Sequence, residues 1–312
     1  MTAPEPDVPP VSREEIAAAG HRIAGLVRVS PVIDLGGLLG DWDLILKLEH
    51  LQVTGSFKAR GAFSALTALP GPGVVVAASG GNFGAAVAYA ASRLERPSAI
   101  FVPETSPSEK IERIRGHGAE VRVIPGYYDE ARRAAEDLAR QLETTTLHAY
   151  DQPEVVAGQG TLARELDSQV AADAVLVAVG GGGLLAGMAS WYQRDTRVVA
   201  VEPERCPSFN AAIGAGRPVD AEVGGVAASS LGARAIGEHA WRARSLIEES
   251  ILVSEDSIVE AQRWLWEEIR LVVEPAAATT VAALRSGAYR PDPGDRVVAV
   301  LSGGNVDPGS VA

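Results

Sequence analysis

The sequence predicts an α/β protein built on open parallel sheets, and three observations carry that prediction. Short, continuously apolar runs recur along the chain, such as Val74-Val75-Val76-Ala77-Ala78 and residues 175–179. Stretches of helical periodicity separate them, and glycine-rich turns follow several of the runs. Buried strands that alternate with helices are the mark of parallel sheets covered on both faces. A length of 312 residues allows one large unit or two, with ample core.

Taken in order, the first dozen residues read as an arm. Ser12, followed by Glu14-Glu15 and an alanine-rich run, opens a helix. Residues 44–48 read as a strand and 57–69 as a helix. Strand 74–78 leads through a glycine turn into helix 83–94. Strand 99–102 is followed by helix 107–115, and strand 120–124 by helix 129–142. A short strand near 147–150 precedes a helix near 155–169. Strand 175–179, a glycine loop, helix 184–192 and strand 198–201 follow. Residues 207–235 are rich in Gly, Ala and Ser with little period, and read as loop and short helix. Ser254 opens a helix to about 270, with Ile258, Ala261, Leu265 and Ile269 on one face. The last strand is 296–301.

Composition excludes several classes. The net charge is −12 and no basic block is present, which argues against a nucleic-acid partner. A lone cysteine, Cys206, cannot form an intrachain disulfide, so a reducing, cytoplasmic setting is expected. The N-terminus carries prolines and acids without an apolar core, unlike a signal peptide, and no apolar stretch is long enough for a membrane span. The five histidines are scattered, which argues against a zinc site.

Lys58 stands out in the run Gln52-Val53-Thr54-Gly55-Ser56-Phe57-Lys58-Ala59-Arg60-Gly61-Ala62, because the chain has only three lysines among many arginines. An uncharged lysine amine can form a Schiff base, which arginine cannot. Thr54 or Ser56 is placed to cap a helix starting near Phe57, whose positive end would favour the neutral amine. Three further motifs follow strands, where open α/β sheets hold ligands. In Ser79-Gly80-Gly81-Asn82-Phe83-Gly84, free amides at a helix start suit a carboxylate, although a tight turn capped by Asn82 explains the same residues. Gly180-Gly181-Gly182-Gly183-Leu184 leaves several amides bare to converge on a phosphate. It matches neither the dinucleotide fingerprint nor a P-loop. Ser302-Gly303-Gly304-Asn305 offers a hydroxyl, but alone reads first as an ordinary turn. A phosphate together with an aldehyde for a lysine describes pyridoxal phosphate.

Over nearly its full length the chain resembles the fold-type II pyridoxal-phosphate enzymes, and most closely the serine/threonine dehydratase and serine racemase group. Lys47-Leu48-Glu49 with residues 52–62 carries the resemblance. It implies two open parallel-sheet domains like tryptophan synthase β, with the cofactor in the cleft between them. Residues 1–70 with 148–312 would form the large cofactor-binding domain, and 71–147 the small one. Lys58 would form the Schiff base, with Phe57 packed beside the ring and Asn82 bonded to the phenolic oxygen. Gly180, Gly181, Gly182, Gly183 and the amide of Leu184 would cradle the phosphate, and Ser302 would face the pyridine nitrogen. A neutral hydroxyl there suits elimination better than transamination. Ser79, Asn82 and the amides around Phe83 would hold the substrate carboxylate, and the carbonyl of Gly225 would approach the substrate amine. Residues 157–161 and 271–277, with Glu274, also look like family segments. The implied activity is loss of water from a β-hydroxy amino acid such as threonine or serine, giving a 2-oxo acid and ammonia. A homodimer is expected.

The departures sharpen this reading. Gly80 stands where the family usually has a second serine, the residue that serves racemases as acid and base opposite the lysine. Glycine has no such proton, so elimination is favoured over the alternative, racemization. Lost catalysis is a further alternative, which the intact Lys58 and glycine loop argue against, while a β-replacement synthase lacks an identifiable second nucleophile site. Phe83 replaces a usual histidine and Tyr150 a usual Asn or Phe, either as drift in helix packing or to line the pocket for a substrate other than serine. Some relatives bind a divalent cation through a glutamate matching Glu202. Ser208 stands where an aspartate is expected, so a cation is allowed there but not predicted. Only ten residues follow Ser302, so no appended regulatory domain is expected.

Overall fold

The computed structural model describes residues 10–69, 71 and 73–311; the first nine residues of the expected arm lie outside them. Helix α1 (Arg13–Arg22) begins at a capping box, in which Ser12 and Glu15 satisfy each other's backbone amides. A short strand β1 (Val32–Asp34) runs antiparallel to β2 (Asp43–Lys47). Helix α2 (Lys58–Ala68) follows. Next come β3 (Val75–Ala78), α3 (Asn82–Arg93), β4 (Ser98–Pro103), α4 (Ser108–Gly116), β5 (Glu120–Ile124), α5 (Tyr128–Gln141) and β6 (Thr146–Leu147). The chain continues through α6 (Pro153–Asp167), β7 (Ala174–Ala178), α7 (Gly183–Tyr192), β8 (Arg197–Pro203), α8 (Ser208–Ala215), α9 (Ala228–Leu231) and α10 (Glu238–Arg242). It ends with β9 (Glu249–Val253), α11 (Glu255–Ile269), α12 (Pro275–Arg285) and β10 (Arg296–Val300).

Two sheets result. The smaller has the order β5-β4-β3-β6 and is wholly parallel. The larger has the order β1-β2-β10-β7-β8-β9 and is parallel except for β1. Strands β3, β4 and β5 step one way across the small sheet, while β6 lies on the other side of β3. In the large sheet β7, β8 and β9 step one way, and β10 and β2 lie on the other side of β7. Each sheet therefore has a topological switch point, between β3 and β6 and between β7 and β10. Loops diverge there beyond the carboxyl ends of the strands and leave a crevice for a ligand.

Apolar packing covers both faces of the large sheet. One face buries Val175, Val177, Val198 and Val298 against α6 and α7, and the other buries Leu176, Val199, Val297 and Ala299 against α11 and α12. Helix α2 sends Ala59, Ala62, Phe63 and Leu66 into the core that also holds Val75, Ala77, Val87 and Ile100 beside the small sheet. The residue at the head of that helix is thus fixed against both halves of the structure. Among the described residues no helix is long and apolar enough to cross a membrane.

Some expectations shift. Strand β6 stops at Leu147 rather than 150, because the His148 ring nitrogen accepts the Asp151 amide at 2.9 Å and turns the backbone out of the sheet. Neither Thr54 nor Ser56 caps α2. Phe57 occupies the cap position without a side-chain bond, and the buried hydroxyls of Thr54 and Ser56 find no partner among the described residues.

Candidate active site

The approach to Lys58 is shaped by its backbone. Thr54 and Gly55 both take left-handed conformations, with φ of 63° and 74°. They turn the chain so that Ser56 bridges Gly303. The Phe57 amide donates to the Ser302 carbonyl at 3.0 Å, and the Gly304 amide to the Gly55 carbonyl at 2.9 Å. The two hydrogen bonds of this bridge thus join the lysine segment to the loop after β10. Lys58 then opens α2, and its Nζ donates to the Ala149 carbonyl at 2.9 Å, just beyond β6. The amine lies 5.0 Å from the centre of the Phe57 ring and 5.8 Å from that of Phe83. Burial pushes its pKa down to about 8, because the charged form loses hydration without gaining a carboxylate.

The glycine loop lies next to this segment. Tyr150 follows the carbonyl that holds Lys58, and its ring covers Gly181 so closely that a Cβ there would enter it. A Cβ on Gly183 would sit 2.7 Å from the Tyr150 carbonyl, and one on Gly180 3.0 Å from Leu231 Cα. Crowding from two sides therefore demands glycine, in addition to any demand from a ligand. The amides of Gly181, Gly182, Gly183 and Leu184 donate to no described residue. They converge at the N-terminus of α7, where the helix dipole favours an anion. Asp151 braces the far side by accepting both the amide and the ring nitrogen of His239.

Asn82 is tied to the large half of the molecule. Its amide nitrogen donates to the Glu274 carboxylate at 2.9 and 3.1 Å, and its oxygen accepts from Asn305 at 2.8 Å. Glu274 also accepts from Ser230 and from the Asn305 amide. Ser79 accepts the Gly81 amide at 3.3 Å. No side chain caps α3, and the amides of Asn82, Phe83 and Gly84 donate to no described residue. Phe83 is buried in the core beside the small sheet. Ser302 is 6% exposed, and its hydroxyl bonds to no described residue.

Lys58, Phe57, Phe83, Ser302 and the glycine loop are thus joined by direct contacts or through one intervening peptide, and Asn82 joins them through Asn305. Gly225 is not drawn in by any described contact. It packs against Glu255, and its carbonyl accepts the Ala228 amide at 3.4 Å. Glu202 is fully occupied: its carboxylate accepts from the Phe209 and Asn210 amides at 2.7 and 2.8 Å and from Ser208 at 3.2 Å. Burial pushes its pKa up to about 7 against those donors. Among the described residues no three His, Cys, Asp or Glu side chains gather to hold a metal.

Sequence reading did not find the Ala149 carbonyl, Asn305 and Ser230 as partners, nor the ion cluster behind α2. There Arg60 donates to Glu49 at 2.7 and 2.8 Å and to Glu165 at 2.9 Å, while Lys47 donates to Glu165 at 2.6 Å. Lys47 of the signature thus meets a helix more than a hundred residues away, and Glu49 reaches it through Arg60.

An amine of lowered pKa, unpartnered amides at a helix start and a free buried hydroxyl fit an aldehyde, a phosphate and a ring nitrogen on one small molecule. Comparison with known proteins agrees. The L-threonine dehydratase of Haemophilus influenzae is 34% identical over 94% of this chain, which spans 59% of that relative's length. The T.th. threonine deaminase structure is 38% identical, with a TM-score of 0.88 over 95% of this chain and 99% of that one. The maize serine racemase structure is 28% identical, with a TM-score of 0.90 over 96% of this chain and 95% of that one. The family model for pyridoxal-phosphate dependent enzymes matches residues 23–303, and the chain belongs to that family.

Proposed function

We propose that this chain is an ammonia-lyase that removes water from a β-hydroxy amino acid such as threonine or serine, yielding a 2-oxo acid and ammonia. The observation that carries this reading is the Lys58 amine. It sits between the two switch points with a pKa near 8, so a useful fraction is neutral at physiological pH and can take a proton. When bound, pyridoxal phosphate supplies an aldehyde for amines and an electron sink beside the substrate α-carbon.

The chain's residues divide the remaining work. Gly180, Gly181, Gly182, Gly183 and Leu184 hold the phosphate through their amides, and Phe57 and Ser302 flank the ring. Asn82, fixed by Glu274 and Asn305, orients the phenolic side. The Ser79 hydroxyl and the open amides of Asn82, Phe83 and Gly84 hold the substrate carboxylate. Lys58 removes the α-proton while the β-hydroxyl departs. Water lost at that step is regained on hydrolysis, so the net change is loss of ammonia. Phe83 and Tyr150 border the side-chain end of the pocket, which supports a substrate other than serine. Of the described residues, those within 1–70 and 148–312 form the cofactor-holding domain and those within 71–147 the smaller one. The working form is a cytoplasmic homodimer.

Likeness to the maize racemase supports a second reading, α-epimerisation. Gly80 argues against it, because position 80 carries no side-chain acid or base of its own, and a second base would have to come from another element. An assay of 2-oxo acid and ammonia across D- and L-threonine, serine and 3-phenylserine separates the two. Equimolar 2-oxo acid and ammonia is the expected outcome, with unequal specificity across the panel. Epimerised amino acid without 2-oxo acid would sink the proposal.

A further inference from the structure

Gly80 lacks a side chain, yet its side-chain space is not empty. A Cβ built there would overlap the Ser106 hydroxyl and lie 2.9 Å from Ser106 Cβ. Ser106 comes from the turn between β4 and α4, at the carboxyl end of the strand next to β3. Its amide donates to the Pro103 carbonyl at 3.0 Å, which fixes the turn. Its side chain is half-buried, and the hydroxyl bonds to no described residue. The hydroxyl therefore adjoins the loop that carries Ser79 and the open amides of α3, with its proton uncommitted. A chain with glycine at 106 could carry serine at 80 in the same volume; this chain has the reverse arrangement.

We propose that Ser106 is a substrate-binding residue, whose hydroxyl takes the place of a side chain at position 80 and donates to the carboxylate of the bound amino acid. This rests on the reading that the loop at 79–84 holds an amino-acid carboxylate. A hydroxyl facing a carboxylate makes a charge-assisted bond, stronger than a neutral one. Its loss should raise KM more than it lowers kcat, because the carboxylate is bound in ground state and transition state alike.

The test uses the holoenzyme and the variants Ser106→Ala, Gly80→Ser and the double variant G80S/S106A. The readouts are kcat and KM for L-threonine, and the Kd of L-2-aminobutyrate by calorimetry. That analogue lacks the β-hydroxyl and cannot eliminate water. Ser106→Ala is expected to raise KM and Kd about tenfold, with kcat changed less than about threefold. Gly80→Ser alone should lower the melting temperature through the clash. The double variant, which moves the hydroxyl to position 80, should restore Kd to within about threefold of wild type. An unchanged Kd in Ser106→Ala overturns the proposal. So does a loss that the relocated hydroxyl fails to repair, which would assign Ser106 to folding of the turn. If the wild-type holoenzyme makes no 2-oxo acid, the proposed function fails while the Kd series still decides the role of Ser106.

Discussion

Replacing Arg60 by methionine removes one charge from a buried cluster of four. Lys47, Glu49 and Arg60 are each at most 1% exposed, and the Glu165 side chain is 13% exposed. Two cations and two carboxylates balance. Burial alone would lower the pKa of Arg60, but Glu49 and Glu165 override it and hold the guanidinium above its ordinary value. Arg60→Met leaves one uncompensated negative charge among buried groups, at a cost of about 3–5 kcal/mol. With about 2.1 cal/mol/K of unfolding entropy per residue, 312 residues give about 0.65 kcal/mol/K, so the melting temperature should fall by about 5–8 °C. Adding Glu49→Gln restores neutrality, and the double variant should regain about 1–3 kcal/mol, or about 2–5 °C. Differential scanning calorimetry on the wild type, both single variants and the double variant supplies the cycle. If R60M melts within about 1 °C of wild type, or Glu49→Gln adds to the loss, electrostatic balance is not what the cluster provides.

Two further predictions follow from the same physics. The Glu202 carboxyl keeps its proton in the fold up to about pH 7, against an ordinary value of 4.5. Its contribution to stability is therefore full below pH 4.5 and lost as pH rises through about 7, on the order of 3 kcal/mol. Glu202→Gln should flatten that part of the melting profile, and an unaltered slope would show that another group titrates. Gly181→Ala drives a methyl into the Tyr150 ring, at about 1–3 kcal/mol. Pyridoxal-phosphate affinity, measured by absorbance titration, should weaken about tenfold and recover in part when Tyr150→Ala is added; equal affinity in wild type and Gly181→Ala would refute the packing account.

The alternating strands and helices were legible because buried strands leave continuous apolar runs and half-buried helices leave a period. Strand β9 escaped notice because its Glu249-Ser250 start is polar and its burial uneven. Helix α12 escaped for the opposite reason: nearly all of its residues are buried, so no polar face reveals a period. At the site, Lys58 and the glycine loop could be read locally, since a rare lysine and four glycines are unusual in themselves. Partners distant in sequence could not. The bonds from Lys58 to Ala149 and from Asn82 to Glu274, and the packing of Tyr150 on Gly181, depend on how the two sheets meet. The same holds for Ser106, which fills the space beside Gly80 only because β4 lies next to β3. The expected cap by Thr54 or Ser56 failed because a bridge to Gly303 shapes that turn, not the helix start.

In the proposed reaction Lys58 is the base at the α-carbon. The most direct test of that role compares wild type with Lys58→Ala, both loaded with pyridoxal phosphate, for 2-oxobutanoate release from L-threonine. The visible absorbance of the bound cofactor is followed in parallel. Wild type should release 2-oxobutanoate and ammonia in equal amounts, whereas Lys58→Ala should lose both the turnover and the lysine-dependent absorbance. Turnover retained in Lys58→Ala would contradict the account.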